Sequence, residues 1–285
     1  MVEAIIKGML PAGFSAASAP LMHFREPPSS EYRYPNPPVE VHDARKLQSS
    51  AKSEADFLEE HGFVLLSHTS AVKDWDRDIG PIYRDEISSI ISDRLMPGRR
   101  TIVQQSPRVV RRGENRRFYA EGVHSDGPLT PKAYASNLRA LMSNEAASVW
   151  QQALASDKVA GFVLMNFWRP INMNEPLRHM PLALCDPASL ERSDVIPNTI
   201  ADIAPDGRTT EHLALRYNPS QRWYYYPNMQ CDEVIAFKLY QYLKDDPDGP
   251  LQNVFHSAFN DPSAPEGCEP RKSCEHRAAV TILRV

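Results

Sequence analysis

His124, Ser125 and Asp126 close an extended stretch, residues 118–127 (FYAEGVHSDG). Side chains on a strand alternate between faces, so His124 and Asp126 point the same way. An imidazole and a carboxylate side by side are two members of a 2-His-1-carboxylate set. That set suits Fe(II) and leaves coordination positions open for chemistry. The motif is short, and the plain alternative is a strand-end histidine beside a turn-forming Asp-Gly. A third ligand has to come from elsewhere. His256 lies inside the apolar run NVFHSAF, where it could equally be a hydrogen-bonded core histidine. The gap from Asp126 to His256 is 256 − 126 = 130 residues, long for a compact barrel, and His179 and His212 fall inside it. The residues alone leave His179 and His212 open beside His256 as the third ligand.

The strand-like segment 271–285 (RKSCEHRAAVTILRV) adds charge. Arg271, Ser273 and Arg277 are separated by even steps and share one face. Two arginines pointing inward need an anionic partner, because an unpaired buried charge is costly. Glu275, on the same face, could serve. A bound carboxylate would fit better, since the guanidinium fork matches it and Ser273 adds a donor. His276 has the opposite parity and should point away.

These residues must be held by a scaffold, and composition limits what that is. The chain has 285 residues, 42% apolar, enough for one large domain or two small ones. Net charge is −4 with both signs interspersed, so no basic stripe marks a nucleic-acid partner. No apolar run approaches a membrane span, and the N-terminus, with Glu3 and Pro11, does not read as a secretion signal. The four cysteines show no CxxC spacing; a bridge between Cys268 and Cys274 is open, but reduced thiols in a cytoplasmic protein are the expectation. Proline makes up 25 residues, about 9% against a usual ~5%, so helices should be few and interrupted.

Residues 1–40 read as an extended arm rich in Pro, Ser and Tyr, ahead of one domain over 41–285. Helical patterns cover 43–61, with Ser53 offering an internal cap, 73–93, with Pro81 near its start, and 131–155, opened by Thr130-Pro131. Strand-like runs are HGFVLLSH, TIVQQSPRVV, RRFYAEGVHSD, VAGFVLMNFWRPI, PLALCD, LALRYN, QRWYYYP, VIAFKLYQYL, NVFHSAF and the last segment. Residues 187–212 read as polar and irregular, and the basic RRGENRR as a solvated turn or a lid over an anionic ligand. Few helices and many strands predict an α+β chain with a β-sandwich or barrel core and helices packed outside. No P-loop, GxGxxG, GxSxG or HExxH is present.

Taken together, HxD, a distal His and Arg-x-Ser resemble the Fe(II)/2-oxoglutarate-dependent oxygenases, and LEEHGFVLL is similar to an early strand of that superfamily. NFWRP at 166–170, PLALCD at 181–186, RWYYYPNMQCDEV at 222–234, HSAFNDP at 256–262 and PRKSCEHRA at 270–278 resemble a narrower subgroup. It holds secondary-metabolism hydroxylases and desaturases related to gibberellin desaturases and to the cephamycin hydroxylase component. The likeness runs from about residue 100 to the end. It implies a double-stranded β-helix (jelly-roll) core with flanking helices and long loops. It implies Fe(II) on His124, Asp126 and His256. It implies 2-oxoglutarate held by Arg271 and Ser273 at its far carboxylate, with Arg277 at either carboxylate or at substrate, and Asn166 and Trp168 beside it; Trp168 cannot copy a tyrosine hydroxyl. With O2, the implied products are succinate, CO2 and a hydroxylated, desaturated or cyclised small molecule. Arg169, Tyr224, Tyr225 and Tyr226 are expected in the substrate wall, with core packing the alternative for the tyrosines.

Two other classes stay open. A zinc hydrolase or lyase would also use two His and a carboxylate, but it would not need two inward arginines. A non-catalytic binding protein on the same scaffold would be expected to lack a ligand or the arginine. The expected partner is a small molecule, without nucleic acid or membrane, and a homodimer is compatible.

Overall fold

The computed structural model describes residues 1–15, 21–23, 36–77, 80–106, 109–113, 122–204 and 206–284. The first four residues of FYAEGVHSDG, and the distal half of the RRGENRR turn, lie outside that set.

The strands are β1 (Val2–Ile5), β2 (Leu21–His23), β3 (Pro38–Asp43), β4 (Phe63–Ser67), β5 (Thr101–Gln105), β6 (Val110–Arg112) and β7 (Val159–Pro170). They continue with β8 (Leu182–Cys185), β9 (Val195–Ala201), β10 (Thr210–Leu215), β11 (Trp223–Tyr225), β12 (Glu233–Leu243), β13 (His256–Ala258) and β14 (Ser273–Leu283). The α-helices are α1 (Ala44–Gln48), α2 (Glu54–His61), α3 (Gly80–Ser89), α4 (Pro131–Leu141) and α5 (Asn144–Ala155). No helix among the described residues is long and apolar enough to cross a membrane.

Helix boundaries follow capping chemistry. Thr130 Oγ1 accepts the Ala133 N–H at 3.2 Å, with Pro131 in the first turn. The expected single helix over 131–155 is two helices, because Met142 leaves helical geometry and Ser143 caps a second start, accepting from Ala146 N at 3.0 Å. The helix expected over 43–61 divides likewise: Asp43 caps α1 and Ser53 caps α2, which ends on Gly62 at φ +72°. Among the described residues the 73–93 pattern is helical from Gly80, and it ends in a π-helical turn, Ile90–Leu95.

One sheet has six strands, in order β4-β12-β7-β14-β5, with β6 also on β14. A second has the order β1-β3-β11-β8-β13, and a third the order β10-β9-β2. The HSD stretch joins these last two: His124 bridges to His256 of β13, and Ser125 bridges to Leu213 of β10. The joined sheet turns one face toward the six-stranded sheet, where the His256 ring lies 4.8 Å from that of Phe237 on β12. Its other face carries a separate apolar cluster in which Val123, Leu213, Trp223 and Phe255 pack with Ala4, Ile6 and Met9. Two facing sheets with helices outside make a jelly-roll-type fold.

Two stretches are more regular than their sequence suggests. Within 1–40, β1 pairs with β3, and β3 joins β11 in parallel, so the arm extends a sheet. Within 187–212, β9 and the start of β10 pair over six residues, Thr210 to Leu215 against Ile200 to Val195. Pro197 and the polar side chains masked a strand whose stability comes from pairing rather than from its own apolar pattern.

Candidate metal centre

Backbone pairing builds the centre. His124 N–H donates to His256 O at 3.3 Å, and His256 N–H returns a bond to His124 O at 3.0 Å. Because β13 also pairs with the fully buried β8, the distal histidine is placed by an interior strand. His124, Asp126 and His256 offer ligand atoms all within 4.8 Å of one another. His124 Nε2 is 3.8 Å from Asp126 Oδ1, and His256 Nε2 is 3.9 Å from Asp126 Oδ2.

Both histidines are held in the tautomer that a metal needs. His124 Nδ1 lies 2.7 Å from the Gly122 carbonyl, and His256 Nδ1 lies 3.2 Å from the Val254 carbonyl. A carbonyl only accepts, so each Nδ1 carries the proton and each Nε2 presents its lone pair toward Asp126. Burial, with His124 adding to it, pushes the His256 ring down to about 3, so the ring stays neutral. Burial works against the Asp126 carboxylate, yet the Arg277 charge and the His212 hydrogen bond hold it well below the usual range. Two imidazole Nε2 atoms and one carboxylate form a donor set for a divalent cation.

The neighbouring face of the six-stranded sheet carries the anion-binding candidates. Register pairs Arg277 with Asn166, Glu275 with Trp168 and Ser273 with Pro170, which sets these side chains on one face. Arg277 Nη2 donates to Asp126 Oδ2 at 2.6 Å and lies 3.9 Å from Glu275. The Asn166 amide approaches Glu275 at 3.5 Å. Buried on this face, Asn166 Oδ1, Ser273 Oγ and Arg277 Nε have no hydrogen-bond partner among the described residues. Arg271 is buried nearby, over the Trp168 ring at 5.6 Å, donating through Nη1 to Met180 O at 2.5 Å. Its backbone N–H donates to His179 Nδ1 at 3.3 Å, which places His179 outside the cluster.

Other expected residues lie apart from the cluster. Arg169 projects from the opposite face of β7, beside Cys274. Its guanidinium stacks over Trp75 at 5.1 Å, approaches His68 Nδ1 at 3.2 Å and donates to the backbone carbonyls of His68 and Cys231. Tyr226 is buried, with its hydroxyl donating to Gln48 Oε1 at 2.6 Å. Tyr225 packs edge-on against Phe259 in the outer cluster. Tyr224 is half-buried on the inner parity, against Phe63 at 6.0 Å and His42 at 5.7 Å. His276 turns away and meets Gln105 at 2.8 Å. All four cysteines are free.

His212 is the neighbour that strand reading passed over. It lies on β10, and its Nδ1 is 3.4 Å from Asp126 Oδ1.

Residues 15–281 match the family model described as oxidoreductase/YMDC permease-like domain. The chain is 27% identical over 277 residues to the hydroxylase/desaturase efuI of Hormonema carpetanum, covering 88% of this chain and 86% of that one. It is 28% identical over 261 residues to the alpha-ketoglutarate-dependent dioxygenase phiK of a fungal species, covering 84% and 85%. Among solved structures, the iron and alpha-ketoglutarate-dependent endoperoxidase NvfI superimposes with a TM-score of 0.69 at 22% identity, over 99% of this chain and 98% of that one. That likeness establishes a shared fold.

Proposed function

The chain belongs to the oxidoreductase/YMDC permease-like domain family, and we propose that it is an Fe(II)- and 2-oxoglutarate-dependent dioxygenase acting on a small molecule. The observation that carries this reading is the convergence of two Nε2 lone pairs and one carboxylate, with both tautomers fixed by backbone carbonyls. The residues fit an iron(II) ion in donor type and protonation. They also fit a dianionic cosubstrate, because buried donors on Ser273 and Arg277 lack partners on the adjoining face. Names of relatives point the same way, as hydroxylases/desaturases and alpha-ketoglutarate-dependent dioxygenases.

Each residue then has a task. His124, Asp126 and His256 hold the metal. Arg271 and Ser273 take the far carboxylate of 2-oxoglutarate, and Arg277, beside Asp126, takes the near one; Asn166 orients the middle of the cosubstrate. Fe(II), 2-oxoglutarate and O2 together supply oxidation of an unactivated C–H bond, with release of succinate and CO2. The protein positions the reactants and excludes water with Phe63, Phe237 and Trp168, all buried. Hydroxylation, desaturation and ring formation all follow from this arrangement. We place Tyr224 in the substrate wall, ahead of Tyr225, Tyr226 and Arg169, whose polar groups or rings are engaged elsewhere. In this reading residues 41–285 form one oxygenase unit with a double-stranded β-helix core, and residues 1–40 an arm added to its sheet. Four free thiols fit a cytoplasmic location.

The test is an oxygen-free titration with Fe(II) and 2-oxoglutarate, followed by succinate measurement on exposure to oxygen with a panel of carboxylated and neutral scaffolds. Iron-dependent succinate release stimulated by a small molecule is expected. Hydrolysis supported by zinc without 2-oxoglutarate would overturn the assignment.

A further inference from the structure

We propose that His212 is a positioning residue, fixing the orientation of the Asp126 carboxylate from the outer side of the metal centre. The inference rests on the metal-site reading above and extends it to a residue outside the ligand set.

Register makes the contact. Ser125 and Leu213 exchange two backbone hydrogen bonds, both at 3.0 Å. In an antiparallel pair that register sets Asp126 directly opposite His212, with their side chains on one face. The three-stranded sheet extends the row, since His212 in turn faces Asn198 of β9. His212 is thus anchored on both flanks by strand pairing, and its Nδ1 stands 3.4 Å from Asp126 Oδ1. Its side chain is 11% exposed, so the contact is largely shielded from competing water.

Asp126 has a second donor, Arg277, and the two differ in kind. Arg277 reaches Oδ2 from the opposite sheet on a long side chain that is 37% exposed. An arginine stem has many rotamers, whereas a cross-strand imidazole has two torsions and a fixed origin. A metal on His124 and His256 would share the Asp126 carboxylate, which would then need a donor that stays in place should an anionic cosubstrate draw Arg277 away. His212 on Oδ1 meets that need, and hydrogen-bonded ligands of this kind keep a metal site ordered.

Two substitutions separate the hydrogen bond from mere packing. His212→Asn sets an amide N–H near the position of Nδ1, while His212→Leu fills the space with no donor. The full-length protein would be titrated with Mn(II), and then with Co(II) followed by visible absorption, both without oxygen. We expect His212→Leu to weaken Mn(II) binding about 10–100-fold and to alter the Co(II) bands. His212→Asn should recover most of that affinity and the wild-type spectrum. Wild-type affinity and spectrum in His212→Leu would overturn the proposal, as would an Asn variant that falls as far as Leu. Loss of Co(II) binding in both His212 variants, with retention in His256→Ala, would make His212 a ligand and overturn it too. Failure of the underlying metal site shows differently, as metal binding that survives His124→Ala.

Discussion

Strands β7 and β14 carry buried charge on both faces, and the two faces use it in opposite ways. On one, the two Nη groups of Arg169 meet the His68 ring and two backbone carbonyls, with Nε left over, and His276 is matched to Gln105. On the other, Asn166, Ser273 and Arg277 each keep a buried polar atom without a hydrogen-bond partner. Asn166 and Ser273 are as buried as Arg169, so burial alone does not separate the faces. The partners do: the Arg169 Nη groups meet backbone carbonyls and fasten a loop, whereas Arg277 Nη2 meets the Asp126 carboxylate on the face where Asn166 Oδ1 and Ser273 Oγ also stay unpaired. Here the fastened loop is the segment after β4, which Glu86 also holds by accepting from Ser70 Oγ at 2.7 Å and Ala71 N at 2.6 Å.

The largest test of this contrast lies at the open face. Replacing His124, Asp126 or His256 by Ala should abolish Fe(II)-dependent turnover, as should a chelator, while each variant keeps its far-ultraviolet circular dichroism. Full activity in His256→Ala would break the assignment of the distal ligand.

The paired arginines sharpen it further. Arg169→Ala leaves two buried carbonyls short of a donor, at roughly 1–3 kcal/mol each. We expect that loss in denaturant unfolding, with 2-oxoglutarate affinity changed less than about twofold. Arg277→Ala should do the reverse, weakening 2-oxoglutarate binding by about 1.5–3 kcal/mol, roughly 10–150-fold. If the two variants show the same pattern, the faces are not divided as described. Arg271→Ala measured alongside reports whether the far carboxylate depends on it.

A smaller effect is expected within the aromatic strand. Tyr226→Phe loses one buried hydrogen bond, to Gln48, and should cost about 1 kcal/mol of stability without altering substrate KM. Tyr224→Ala should alter KM instead.

The smallest effect concerns pH. Burial, then the Arg169 charge, lowers the His68 ring below its ordinary value. A histidine with a lowered folded pKa binds protons more readily once unfolded, so its contribution is present above about pH 6.5 and is lost as pH falls. The stability of the wild type should therefore decline between pH 7.5 and 5.5 more steeply than that of His68→Gln. Identical slopes would remove His68 from the satisfied face.

The sequence by itself determined the parts whose signal is local. His124 and Asp126 share a face because they are two apart on an extended chain, and Arg277 shares one with Ser273 and Glu275 for the same reason. The long apolar runs of β7 and β12, and the caps at Ser53 and Thr130, were readable because each rests on near neighbours. Tertiary structure decided what depends on partners far along the chain. That His256 meets His124 follows from two backbone hydrogen bonds across more than a hundred residues. That β1, β3 and β9 are strands follows from the strands they pair with, since each is short or interrupted by polar residues and proline. His212 became a neighbour of Asp126 only once register put Ser125 against Leu213. Arg169 and Arg277 were told apart only by which acceptors the folded chain brings to each. A strand's alternation fixes which way a side chain points, but only the folded sheet fixes what it points at.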